Sequence, residues 1–158
     1  MVTYDILFRQ VLPGRTVEET LEEINSAYDP DAASQPMNLT GDQRAVWNKI
    51  VQRISREIGP VTTEEYLYSL TLCRDGPAGR LQLDYEGDSA SIYIPYRYPR
   101  QAALTIMAEA YHIAWIIEEE SSLEGYDAEV EQSIRTGDID IAAAKLGAVS
   151  RWAQDHLT

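Results

Sequence analysis

The side chains in this 158-residue chain with the most reactive chemistry are two histidines, one cysteine and an excess of carboxylates. Glu109-Ala110-Tyr111-His112 sets a carboxylate and an imidazole one helical turn apart, as in one of the two Glu-x-x-His pairs of a helical di-iron site. Such a centre needs a second pair of this kind and further glutamates on other helices, and the sequence offers one pair. His112 therefore reads as a group at the edge of a buried helix face, hydrogen-bonded to a neighbour. Zinc fares no better, because Cys73, His112 and His156 match no ligand spacing. Nucleophilic catalysis would need a serine or cysteine beside a base. No serine sits in a strained Gly-flanked turn, and Cys73 has no neighbouring histidine. Gly76-Pro77-Ala78-Gly79 lacks the Lys and Ser/Thr of a phosphate loop and joins strand to strand, so it reads as a hairpin turn. Paired carboxylates are expected by chance in so acidic a chain, and a glycosidase cleft normally has more aromatic platform and more chain. The residues thus point to a protein that binds without catalysing, with no cofactor and no metal.

Two stretches exceed that background. In Tyr93-Ile94-Pro95-Tyr96-Arg97-Tyr98-Pro99-Arg100, three tyrosines and two arginines crowd a strand-to-helix junction. Tyr and Arg are enriched at the energetic centres of protein interfaces, so Tyr93, Tyr96, Arg97, Tyr98 and Arg100 are candidate contacts, although Tyr96 alone could simply pack inward. From Glu118 to Glu131, seven of fourteen residues are acidic and none is basic. That density exceeds what local ion pairs can offset, and it reads either as a solvated rim or as a docking patch for a basic cleft. The patch would comprise Glu118, Glu119, Glu120, Glu124, Asp127 and Glu129, and its charge would steer association.

These residues must be positioned by a hairpin and a helix. Leu81, Leu83 and Tyr85 alternate with polar residues, Gly87-Asp88-Ser89 supplies a turn, and Ala90, Ile92, Ile94 and Tyr96 resume the period of two. Pro99 then stops the strand and suits the first turn of a helix. Over Arg100 to Glu120, apolar residues cover more than the stripe a surface helix needs, which makes this the long central helix lying across the sheet. Val2, Tyr4, Ile6 and Phe8 predict an opening strand, and Tyr66, Tyr68, Leu70 and Leu72 another. Thr16-Val17-Glu18-Glu19 and Thr40-Gly41-Asp42-Gln43 have capping-box spacing ahead of amphipathic segments. Between those helices, residues 29 to 38 read as an exposed loop, the segment expected to move most. The resulting fold class is α+β, a single domain over 1–158. An antiparallel sheet of about four strands (2–9, 66–74, 80–86, 90–96) is joined by four helices (16–28, 41–58, 100–120, 138–156), which cover one face and leave Tyr-rich positions on the other. Gly125-Tyr126-Asp127 reads as turn-like, and residues 127 to 136 fit either a short helix or an extended arm.

Composition narrows the partners. Twenty-six acidic and thirteen basic residues leave a formal charge of −13, which repels phosphate backbones and favours a basic protein partner over nucleic acid. No apolar run approaches the ~20 residues of a membrane span, and the first residues lack a leader's basic and apolar regions, so a cytoplasmic location without membrane association is expected. One cysteine allows no internal disulfide and fits a reducing compartment, with Cys73 a small packed side chain. Tyr4-Asp5-Ile6, Ile92-Tyr93-Ile94-Pro95-Tyr96, the long helix, and its exit Glu120-Ser121-Ser122-Leu123-Glu124-Gly125-Tyr126-Asp127 together resemble small acidic single-domain proteins of high-GC bacteria. In character these are similar to the immunity proteins of polymorphic toxin systems, and eleven arginines among the thirteen basic residues agree with a GC-rich genome. The resemblance implies a stoichiometric inhibitor that covers or deforms the active site of a cognate toxin domain. Such a protein is expected to be monomeric and to be encoded beside its toxin. The runner-up is an acidic chaperone or adaptor for a secreted client, which would be a homodimer; a small enzyme is third.

Overall fold

A computed structural model describes residues 3–33 and 35–156. In chain order it contains β1 (Thr3–Arg9), α1 (Val17–Ala27), α2 (Gly41–Glu57), β2 (Thr62–Glu65), β3 (Leu70–Gly76), β4 (Gly79–Tyr85), β5 (Ser89–Pro95), α3 (Gln101–Glu120), β6 (Glu124–Asp127), β7 (Gln132–Ser133) and α4 (Ile139–His156). The α+β class holds, but the sheet has seven strands in the order β2-β3-β4-β5-β1-β6-β7. Every pairing is antiparallel. β1 enters between the meander and β6, pairing Thr3 to Arg9 with Pro95 to Ser89 on one side and Leu7 to Arg9 with Tyr126 to Glu124 on the other.

The period-two strands bury their apolar phase on one face. Tyr4, Ile6 and Phe8, Leu70 and Leu72, Leu81, Leu83 and Tyr85, and Ile92 and Ile94 are almost wholly enclosed. α2, α3 and α4 cover this face, α3 packing against both of the others. Nine residues of the twenty-residue α3 are buried, so this helix is apolar around most of its circumference. α1 packs elsewhere. Leu7 and Tyr126 pair across β1 and β6 on the opposite face, and α1 covers that corner with its buried Val17 and Thr20. Both predicted capping boxes form, Thr16 with Glu19 and Thr40 with Gln43, each satisfying two backbone N–H groups.

Three expectations need correction. The strand expected over 66–74 starts only at Leu70, as β3; Tyr66–Ser69 is a loop that joins it to a further strand, β2, and the tyrosines of the loop happen to continue the alternation of β3. Gly125-Tyr126-Asp127 is strand and not turn. A Cβ on Gly125 would lie 2.6 Å from Ile134 Cγ1 and from Phe8 Cε1, so glycine is there for close packing. The ambiguous arm beyond it supplies β7. Pro99 lies outside the helix it was expected to start, since α3 begins at Gln101 and Arg100 caps it at φ 56° with no side-chain hydrogen bond. Residue 2, placed in the first strand, lies outside the described residues.

Candidate protein-binding face

The face opposite α2, α3 and α4 is built from the polar phase of the same alternating strands. The register aligns Thr62, Cys73, Gln82, Tyr93 and Asp5 in one cross-strand row. Glu64, Thr71, Asp84, Ser91 and Leu7 form the next. Cys73, Gln82, Asp84, Ser91 and Tyr93 are all half-buried, in contrast with the enclosed Leu72, Leu83 and Ile92 between them. Cys73 is therefore a partly open side chain and not the packed one expected. Asp84 Oδ1 accepts from Thr71 Oγ1 at 2.8 Å and Gln82 Nε2 at 3.0 Å, and Asp5 Oδ1 accepts from Thr3 Oγ1 at 2.5 Å, so both carboxylates are held in place. Tyr93 stands between them. Partial burial, reinforced by Asp84, Asp5 and Glu86, raises its phenol above the ordinary value, so the hydroxyl remains a donor at neutral pH. Beside it, Thr3, Arg80, Gln82, Tyr93, Pro95 and Arg97 line a shallow groove of about 300 Å3.

The Tyr/Arg junction is divided by the fold. Tyr93 and Arg97 lie on the open face, Arg97 exposed. Tyr98 braces the β3–β4 hairpin: its hydroxyl accepts from Arg80 N at 2.7 Å, and its ring lies where a Cβ on Gly79 would be, 2.6–2.8 Å away. Gly79 also has φ 133°, which disfavours any side chain. Tyr96 meets Tyr4 edge-on with ring centroids 6.4 Å apart, and its hydroxyl donates to Glu129 Oε1 at 3.3 Å. Arg100 is exposed at the start of α3.

The acidic run is likewise dispersed. Glu118 is half-buried and accepts from Gly125 N at 2.8 Å, its pKa raised by that burial. Arg53 of α2 meets Glu119 at 2.6 Å and Glu120 at 3.5 Å, and Arg135 meets Glu124 at 3.5 Å. The run thus finds distant arginines that a local count of charges omits. Asp127 is the clear correction to a surface role. At 0% exposure its Oδ2 accepts from the hydroxyls of Tyr4 and Tyr111, each at 2.6 Å, and Oδ1 accepts from Glu129 N at 3.2 Å. Gln132 Nε2 donates to the Tyr111 oxygen at 2.7 Å, completing a buried network that ties β1, α3 and the β6–β7 arm together.

The Glu109 and His112 pair takes separate partners. Glu109 Oε1 lies 3.4 Å from Arg74 Nε in the interior, while His112 Nε2 lies 3.0 Å from Glu57 Oε1 at the α2–α3 surface, the edge position read from the sequence. Among the described residues, no group of three or more His, Cys, Asp or Glu side chains could hold a metal ion. No helix among them is long and apolar enough to cross a membrane. Sequence reasoning missed Asp5, Asp84 and Glu64 as site residues. The signal was present as the polar phase of the strands and in the hairpin of β4 with β5, but the placement of β1 beside β5 and of β2 beside β3 was not. The chain matches no protein-family model, and neither the curated proteins nor the solved structures contain a match to it.

Proposed function

We propose that this protein is a stoichiometric, non-catalytic inhibitor that binds a basic protein partner through the open face of its sheet, most simply the immunity protein of a toxin domain with a basic cleft. The observation that carries the reading is a sheet face presenting half-buried Tyr93 between the fixed carboxylates Asp5 and Asp84, on a chain of charge −13. A tyrosine ring contributes large contact area at low entropic cost, and surrounding carboxylates steer a cationic surface toward it. An interface of ordinary size, roughly 1,600 Å2 in total, would extend from this row to Arg97 or toward Glu64. The remaining acidic positions, Glu119, Glu120, Glu124 and Glu129, add to the long-range field more than to the contact.

The test begins with the protein encoded beside this one. Co-expression should rescue growth from its toxicity, and the purified pair should form a 1:1 complex. Tyr93→Ala should speed dissociation about tenfold or more. Asp5→Asn with Asp84→Asn should slow association and flatten its dependence on salt. A complex indifferent to all three substitutions would place the interface elsewhere, and a neighbour that neither binds nor kills would end the inhibitor reading. A client-holding adaptor acting through a sheet edge is less well supported, because edge strand β2 has four residues and two of them are glutamates.

A further inference from the structure

The loop joining β2 to β3 is Tyr66-Leu67-Tyr68-Ser69. Tight turns ordinarily recruit Gly, Pro, Asn, Asp or Ser, and only Ser69 is of that kind here. Instead three large side chains stand in solvent at 53%, 62% and 46% exposure. Leaving three adjacent large apolar groups in water gains nothing for folding, whereas contiguous exposed apolar surface marks contact sites. The loop is also held from both sides. Tyr66 N donates to Ser69 O at 2.8 Å across the turn, Ser69 Oγ and Thr71 Oγ1 lie 3.1 Å apart at its base, and Met37 N donates to Leu67 O at 3.1 Å from a residue itself packed on the core. The three side chains therefore project from a fixed frame, which reduces the entropy lost when they are buried.

The charges around the tip select the occupant. Glu64, and after it Asp84, raise the Tyr66 phenol above its ordinary value. Glu86 follows Tyr85, which pairs with Leu70 at the base of the tip. On the far side Glu65 is neutralised by Arg44 at 2.9 Å. The result is an apolar knob with acidic shoulders on the side of the open face. An anionic lipid surface would be repelled by those shoulders, as would a second copy of a chain carrying −13.

We infer that Tyr66, Leu67 and Tyr68 form a wedge that enters an apolar-floored cleft with a basic rim on the protein partner, while Glu64, Asp84 and Glu86 meet that rim. This rests on the proposed inhibitor function and adds the element that would fill the partner's cleft.

The probe is the protein encoded by the adjacent reading frame, made as a catalytically silent variant and titrated with the full chain. Replacing the wedge together (Tyr66→Ser, Leu67→Ser, Tyr68→Ser) should weaken binding about a hundredfold, mainly through faster dissociation, with near-UV dichroism and melting temperature close to the parent because these side chains are exposed. Leu67→Trp should give a fluorescence blue shift when the complex forms. Parent and wedge variant binding alike, with Tyr93→Ala still impaired, would overturn the wedge and leave the inhibitor reading standing. A parent that does not bind this probe would remove both. Binding to phosphatidylglycerol vesicles that depends on the wedge, or a dimer that the wedge variant abolishes, would overturn the inference in favour of a membrane or a second copy.

Discussion

Asp127 occupies a position where ionisation is costly, yet two tyrosine hydroxyls and a backbone N–H converge on it. Removing the acceptor should strand two buried donors, so Asp127→Ala should lower unfolding free energy by about 2–4 kcal/mol in urea titrations, more than Tyr111→Phe, which removes one donor and keeps the ring. A difference in the opposite direction would show that the network contributes little. Burial outweighs these hydrogen bonds and raises the folded pKa of Asp127 above its ordinary 3.8. Its share of stability is therefore complete below that value and falls as pH rises through the folded pKa. Glu57 behaves oppositely. The Arg53 guanidinium, followed by His112, pulls its carboxyl from 4.5 down to about 2, so it stabilises above pH 4.5 and loses that effect as pH falls toward 2. Urea midpoints of the parent and Glu57→Gln should converge across this window. A constant gap from pH 5 to pH 2.5 would refute the assignment.

At the scale of elements, alternation and capping chemistry located the four helices and the strands β1, β4 and β5 within one or two residues, because those signals are local. Thr16 and Thr40 reached their N3 partners as their spacing required. The β2–β3 hairpin was illegible for a physical reason: its loop is built from residues that ordinarily signal strand. In the Tyr/Arg junction, Tyr96 and Tyr98 brace the fold and leave Tyr93 and Arg97 outside. Two substitutions on α3 should differ in outcome. Ile113 is wholly buried, so Ile113→Asp should give an insoluble or unfolded chain; Leu104 is half-buried, so Leu104→Asp should remain folded with a lower melting temperature. Equal behaviour of the two would contradict the orientation of this helix. Gly79→Ala should cost about 1–3 kcal/mol, since it forces a side chain both into φ 133° and against the Tyr98 ring. Adding Tyr98→Ser should recover only the steric part.

For the whole molecule, thirteen unbalanced negative charges oppose compaction. Raising NaCl from 20 to 300 mM should increase the melting temperature by screening that repulsion, and at the same time weaken capture of a basic partner. Stability that fell with salt would mean that attractive pairs, such as Arg53 with Glu57 and Glu119, outweigh the excess charge.

The order of residues by itself determined the α+β class, the alternating strands, the capped helices and the acidic character, all of which depend on composition or on neighbours within a few positions. Beyond the hairpin of β4 with β5, the tertiary structure decided which strands lie side by side. That ordering inserts β1 between β5 and β6, carries Asp127 under Tyr4 and Tyr111, and brings Arg53 to Glu119. It also leaves Asp5, Tyr93 and Asp84 on one uncovered face, with the Tyr66–Tyr68 tip beside them. Side-chain period tells which residues share a face of one strand, but only long-range pairing tells which strands share that face, and a binding surface is made of several strands at once.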